Sequence, residues 1–189
     1  PALPIHLPAA VVDLLDANLS FPYEKFLLED EAVLEHGETT VRCLHTPGHS
    51  AGHLSFVVQG DKTSTLAGDM VTGDGAIWVG TPEGDLRAYL ASLARLETVD
   101  ANTLAPSHGA VSLQPHKLLE KAKTHKHNRE QQILDTLEEP QSLDALTSKL
   151  YPDVTGVVYD FAQRSLQAHL VKLEHDGRIR QNGNLYVLT

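Results

Sequence analysis

The sequence predicts an α/β protein in two parts, and three features of its 189 residues predict it. Residues 40–43 alternate polar and apolar side chains with a period of two, and "HLSFVVQ" (53–59) reads as a further strand, as an antiparallel sheet requires. Residues 84–97 switch to helical spacing, with Leu86, Leu90, Leu93 and Leu96 along one stripe. From about residue 125 the chain reads as helices followed by a terminal β-hairpin, the pattern of a winged helix.

Taken in order, "PALPIHLPAAVVDLLDANLSFP" is proline-rich with a short apolar, helix-like centre (Val11 to Leu15), and reads as a connecting segment ending in a loop. "KFLLED" and "TTVRCLH" follow as strands; in the second, Val41 and Cys43 alternate with Thr40 and Arg42. The acidic turn and "EHGE" between them suit an antiparallel ladder. "HLSFVVQ" is the next strand, and the polar tip "GDKTS" leads into "TLAGD", whose last turn holds Asp69. Consecutive strands pair in order, as a meander. The helix of 84–97 carries Asp85 in its first turn, where a carboxylate suits the helix dipole. "TLAPSHG" (103–109) is a short strand, and a further helix starts near Pro115, whose missing N–H suits a first turn. "NREQQILDTLEEP" and "SLDALTSKLYP" are short helices stopped by Pro140 and Pro152, with Ser142 as N-cap of the second. A longer amphipathic helix is opened by Thr155 and closed by Gly177, and a hairpin turns at Asn182-Gly183. The expected domain boundary falls near residue 125, within a continuous helix.

The net charge of −10 disfavours broad non-specific binding to nucleic acid, because phosphates are repelled at long range. The exception is "PHKLLEKAKTHKHNR" (115–129), with five Lys/Arg against one Glu, which reads as a solvated helix face or an anion-binding patch. No apolar run approaches the roughly 18 residues of a membrane span. The single Cys43 excludes an internal disulfide and fits a reducing compartment. The given residues show no basic-then-apolar leader, so the expected location is the cytoplasm or an organelle matrix unless a lost N-terminus carries a signal, and no membrane partner is expected.

The chemistry-bearing residues sit at strand ends. "CLHTPGHSAGHLSF" presents His49 from a Thr-Pro-Gly-His turn, "LAGD" presents Asp69 and "APSHG" presents His108. Each stands beside a glycine, which lets the backbone turn sharply and a ligand approach closely. Imidazole and carboxylate are the ligands of a hydrolytic zinc or manganese centre. Asp69 could bridge two cations through its two oxygens while His49 and His108 hold one each. Taken singly, each also fits an ordinary hydrogen-bonded turn residue. His45 and His53 fall on strand positions and read as structural. His125 and His127, two apart on a helix, diverge too far to chelate.

In order and spacing, "LHTPGHSAGHLSF", "AGDMVTG", "DLRAYLASLARL", "PSHG" and "HKHNREQQIL" resemble the C-terminal part of metallo-β-lactamase-fold hydrolases, the beta-lactamase-like protein 2 group above all. The resemblance covers about residues 23–189. It implies half of an αββα sandwich over 1–124 and a winged helix over 125–189. It implies His49, Asp69 and His108 as ligands of two divalent ions, zinc first and manganese or iron otherwise, with Asp69 the bridge that serves catalysis. Where the family has Pro-Gly-His-Gly, this chain has Pro-Ser-His-Gly, which keeps the ligand. The His-x-His-x-Asp-His motif that the family places earlier is absent from all eleven histidines here. The centre in this chain is therefore expected to be incomplete and the chain alone inactive. Its expected partner is the missing N-terminal half, on the same gene product or a second chain, with a homodimer as a further possibility. A start at Pro1, without methionine, fits a cut. The implied activity of the parent is hydrolysis of a small ester or thioester, or of single-stranded RNA. The competing reading is a non-catalytic winged-helix binding module, or a pseudoenzyme with a vestigial site.

Overall fold

The computed structural model describes residues 3–7 and 23–189, with side chains from Leu27 onward. Strands β1 (Leu3–Leu7) and β2 (Tyr23–Leu27) pair in parallel. Strand β1 thus occupies part of the segment expected to be a connection, while its helix-like centre, Val11 to Leu15, lies outside the described residues. A second sheet of five strands has the order β3-β4-β5-β6-β7: Val33–His36, Thr39–His45, Leu54–Gln59, Thr63–Gly68 and Thr103–Pro106. Its first four strands form an antiparallel meander, in which β4, β5 and β6 are expected strands and β3 is not, and β7 returns parallel to β6.

"KFLLED" does not join that meander. Its strand stops at Leu27 and pairs with β1, and the partner of β4 is β3 instead. The acidic residues bend because β4 captures them. Asp30 accepts the His45 N–H at 2.8 Å, and Glu31 pairs with both Arg42 and Arg95.

Helix α1 (Leu86–Glu97) and helix α2 (Pro115–Thr136) cover one face of this sheet. Because strand side chains alternate, Leu44, Val57, Ala67 and Leu104 point towards α1 and pack with its Leu86, Tyr89, Leu93 and Leu96 and with Leu119 of α2. Burying this apolar layer is the main favourable contribution to the fold. Asp85 is the N-cap of α1 and not part of its first turn, its carboxylate accepting from the N–H groups of Arg87 and Ala88.

Helix α2 runs unbroken through residue 125, and a second core forms along its C-terminal half. Ile133, Leu134 and Leu137 pack there with Leu146 of helix α3 (Leu143–Leu150) and with Leu166, Leu170 and Leu173 of helix α4 (Val157–His175). A three-stranded sheet closes this part in the order β8-β10-β9, formed by Gln141–Ser142, Leu185–Leu188 and Ile179–Asn182. Two end positions differ from expectation. Helix α4 is capped by Gly156, not Thr155, because the Gly156 carbonyl accepts the first helical bonds from Tyr159 and Asp160. The hairpin pairs Asn182 with Leu185, so its loop is Gly183-Asn184, one residue later than read.

Candidate metal centre

The Thr-Pro-Gly-His turn is fastened to α1 by bonds that leave His49 free to point away. Asp85 N–H donates to the Gly48 carbonyl at 2.8 Å, and Ser92 Oγ donates to the Pro47 carbonyl at 2.8 Å. Gly48 (φ 136°) lies so close to Tyr89 that a Cβ would overlap the helix backbone. Only glycine lets the turn approach α1 this closely.

Asp69 is set by a buried polar chain. Its N–H donates to His53 Nε2 at 2.9 Å, so His53 carries its proton on Nδ1, which donates to Thr46 Oγ1 at 2.9 Å. Thr46 Oγ1 lies 2.9 Å from Ser55 Oγ, which donates to the Ala67 carbonyl. Burial holds the His53 pKa below its ordinary value. His53 is therefore neutral, as an acceptor must be. Gly68 (φ 58°) packs against that ring, and a side chain there would collide with Nε2.

His108 comes from the loop after β7, which is stitched to the Asp69 loop. Gly73 N–H and Thr72 Oγ1 both donate to the His108 carbonyl at 3.2 Å, and Ser107 N–H donates to the Gly68 carbonyl at 3.0 Å. Tyr89 O–H donates to the Met70 carbonyl at 2.7 Å and anchors the same loop from below.

These supports bring the three expected residues together. His49 Nε2 stands 3.7 Å from Asp69 Oδ2, and His108 Nε2 stands 3.6 Å from Asp69 Oδ1. One imidazole faces each carboxylate oxygen. Nitrogen and oxygen atoms sharing one tetrahedral zinc at ~2.0–2.2 Å lie roughly 3.4 Å apart, so each pair is close to the spacing a common cation would impose. Among the described residues no three His, Cys, Asp or Glu side chains close on a single point. The donors instead form two pairs that share Asp69, and this set fits two cations better than one. His49 Nδ1 donates to the Trp78 carbonyl at 2.9 Å, which leaves Nε2 with its lone pair towards Asp69, the tautomer a metal needs. The His108 side chain is 76% exposed, against 30% for His49 and for Asp69, so the site opens to solvent on the His108 side.

Several contributors were not apparent as such from sequence. His53 and Thr46 act on Asp69 through its backbone, and Trp78 acts on His49 through a carbonyl; neither leaves a spacing signature. His45 is structural as read, its Nε2 donating to the Ala51 carbonyl at 2.8 Å. His125 and His127 lie on either side of buried Lys126.

The sequence profile of the beta-lactamase associated winged helix domain matches residues 142–185. The chain is 30% identical over 146 residues to the beta-lactamase-like protein 2 homolog of Drosophila melanogaster, covering 74% of this chain and 47% of that protein. It is 30% identical over 140 residues to an atrochrysone carboxyl ACP thioesterase of Aspergillus fumigatus, covering 72% of this chain and 43% of the relative. Among solved structures, a metallo-beta-lactamase family protein from Thermus thermophilus superposes with a TM-score of 0.77 at 26% identity, covering 96% of this chain and 60% of the other. The chain thus spans about half the length of the curated relatives it matches.

Proposed function

The chain belongs to the metallo-β-lactamase superfamily, and from that premise we propose that it carries part of a two-cation hydrolytic centre acting on an acyl thioester or ester. One observation carries the proposal: the two oxygens of Asp69 face two different imidazoles at 3.7 and 3.6 Å. His49 and Asp69 Oδ2 would hold one cation, His108 and Asp69 Oδ1 the other. Bound there, the cations supply the Lewis acidity that activates a water and polarises the scissile group. The chain's own residues orient the ligands. Trp78 fixes the His49 tautomer, and His53 keeps the Asp69 turn in place. Two protein ligands per cation fall short of the three a catalytic zinc site usually has. The remaining ligands would come from a His-x-His-x-Asp-His segment, on the same polypeptide or on a second chain.

Support for a thioester or ester over RNA comes from charge and from the relatives. A sequence-tolerant RNA site needs a cationic track and aromatic platforms. The chain carries −10 overall, and the cationic strip on α2 beside a groove of about 390 Å³ is Lys117 and Lys121, since burial, with the nearby Lys126 and Arg129, holds the His125 pKa below its ordinary value. That strip suits a single anionic group, such as the phosphate of a carrier arm, more than a polynucleotide. One relative bears the name of a thioesterase acting on an acyl carrier protein.

The test is thiol release from an acyl thioester by the complete protein loaded with zinc or manganese. Turnover is expected to depend on the added metal, to respond little to salt, and to fall at least about a hundredfold in Asp69→Ala. Near-wild-type turnover of that variant with a full complement of metal would refute the assignment. Efficient RNA cleavage that weakens steeply with salt would replace the thioester by a polynucleotide.

A further inference from the structure

The first turns of α4 carry an unusual load. Val157, Val158 and Phe161 are 69%, 59% and 48% exposed. Spaced three and four apart, they lie on one face. Valine is a modest helix former, and a first helical turn ordinarily favours acidic side chains, so local stability does not account for these residues. Singly exposed apolar side chains are ordinary, but a contiguous apolar patch marks a binding surface.

The patch adjoins the candidate centre through Phe161 and Trp78. Phe161 meets Trp78 edge-on, with ring centroids 5.3 Å apart at 78°. Trp78 Nε1–H donates to the Phe161 carbonyl at 2.9 Å, while the Trp78 carbonyl accepts from His49 Nδ1–H at 2.9 Å. Further along, Thr81 N–H donates to the Arg164 carbonyl at 3.3 Å, and Thr81 Oγ1 donates to Gln167 Oε1 at 3.1 Å. Helix α4 therefore grips the 78–81 segment, and Phe161, one member of its apolar face, touches the residue whose carbonyl holds the proposed ligand His49.

We propose that Val157, Val158, Phe161 and Trp78 form the apolar subsite that receives the acyl chain of the thioester, so that the winged-helix part sets acyl-chain selectivity. The proposal rests on the hydrolase reading for the identity of the ligand, but its test does not need hydrolysis. A long chain lying along this face removes its methylenes from water, and each contributes about 0.8 kcal/mol when fully buried. A short acyl group gains nothing from the face.

Trp78 is the only tryptophan of these 189 residues, so in this chain tryptophan emission reports from the patch. The probes are two non-hydrolysable thioethers of N-acetylcysteamine, one decyl and one ethyl, titrated into the metal-free and the metal-loaded protein. The decyl compound is expected to shift Trp78 emission saturably, and the ethyl compound to leave it unchanged over the same range. Val157→Ser with Val158→Ser replaces exposed side chains, so the unfolding temperature should hold while decyl affinity falls about tenfold. Equal decyl affinity in wild type and the double variant would overturn the proposal. So would equal responses to the two thioethers. A dimer in wild type that the double variant abolishes, without a change in decyl affinity, would reassign the patch to self-association. Failure of the hydrolase reading appears separately, as chain-length-dependent binding without metal-dependent turnover.

Discussion

Gly68 shows how one residue without a side chain fixes the position of another with a charge. Its φ of 58° turns the chain at the end of β6, and its bare Cα admits the His53 ring that holds the Asp69 N–H. Gly68→Ala combines a left-handed alanine with a collision against that ring. It is expected to destabilise the fold by about 1–3 kcal/mol, read as a lowered thermal midpoint. An unchanged midpoint would mean that the ring relocates freely and that His53 does not position Asp69. Glycines also explain why His49, Asp69 and His108 were legible from sequence, their neighbours being Gly48, Gly68 and Gly109. Each stands beside a glycine at a strand end, and that local signature survives without knowledge of the fold. His53 also follows a glycine, Gly52, just before β5, so that signature alone does not reveal its role; its partners are a backbone N–H sixteen positions away and a buried hydroxyl.

Among the elements, α1 most directly couples stability to the site. Its N-cap, Asp85, accepts from two helical N–H groups at 2.8 and 3.0 Å, while its own N–H donates to the Gly48 carbonyl in the His49 turn. Asp85→Ala leaves those helical donors without their cap, a loss of about 1 kcal/mol. In urea the midpoint is expected to fall with an unchanged slope, since the surface exposed on unfolding is the same. A changed slope would point to partial unfolding of the sheet-covering layer. The helix was readable from its apolar spacing because that spacing is set by the face it buries. Strand β3 was not: Val33–His36 is exposed along its whole length and shows no alternation that burial would enforce.

Across the whole molecule, α2 joins two hydrophobic cores, and the charged groups between them are buried. Lys126 (3% exposed) donates to the Ile77 carbonyl at 2.7 Å, and burial holds its pKa down to about 8. His169 of α4 (2% exposed) has no partner for Nδ1, which lies 3.9 Å from Glu130 Oε1. Burial lowers its pKa to about 3, with the positive charges of Lys126, Arg129 and Lys172 acting in the same direction. The unfolded chain therefore takes up a proton at His169 below about 6.5, while the folded chain resists until about 3. Protons bound preferentially by the unfolded state lower stability as pH falls. This loss is absent above the unfolded value and grows through the window down to the folded one, reaching a few kcal/mol. His169→Leu should flatten the dependence of the unfolding free energy on pH between those limits. An equally steep dependence in the variant would place the acid sensitivity elsewhere.

By itself the sequence determined the secondary-structure periods, the winged-helix pattern and the three turn-borne candidates His49, Asp69 and His108, because each depends on residues close together in the chain. Only the tertiary structure decided that Asp69 faces a different imidazole with each oxygen, and that Trp78 carries the hold of α4 through to His49. It also decided that β2 pairs with β1 rather than with the meander. Those outcomes depend on contacts between distant segments, in which many registers satisfy local propensity and the burial of one shared core selects among them.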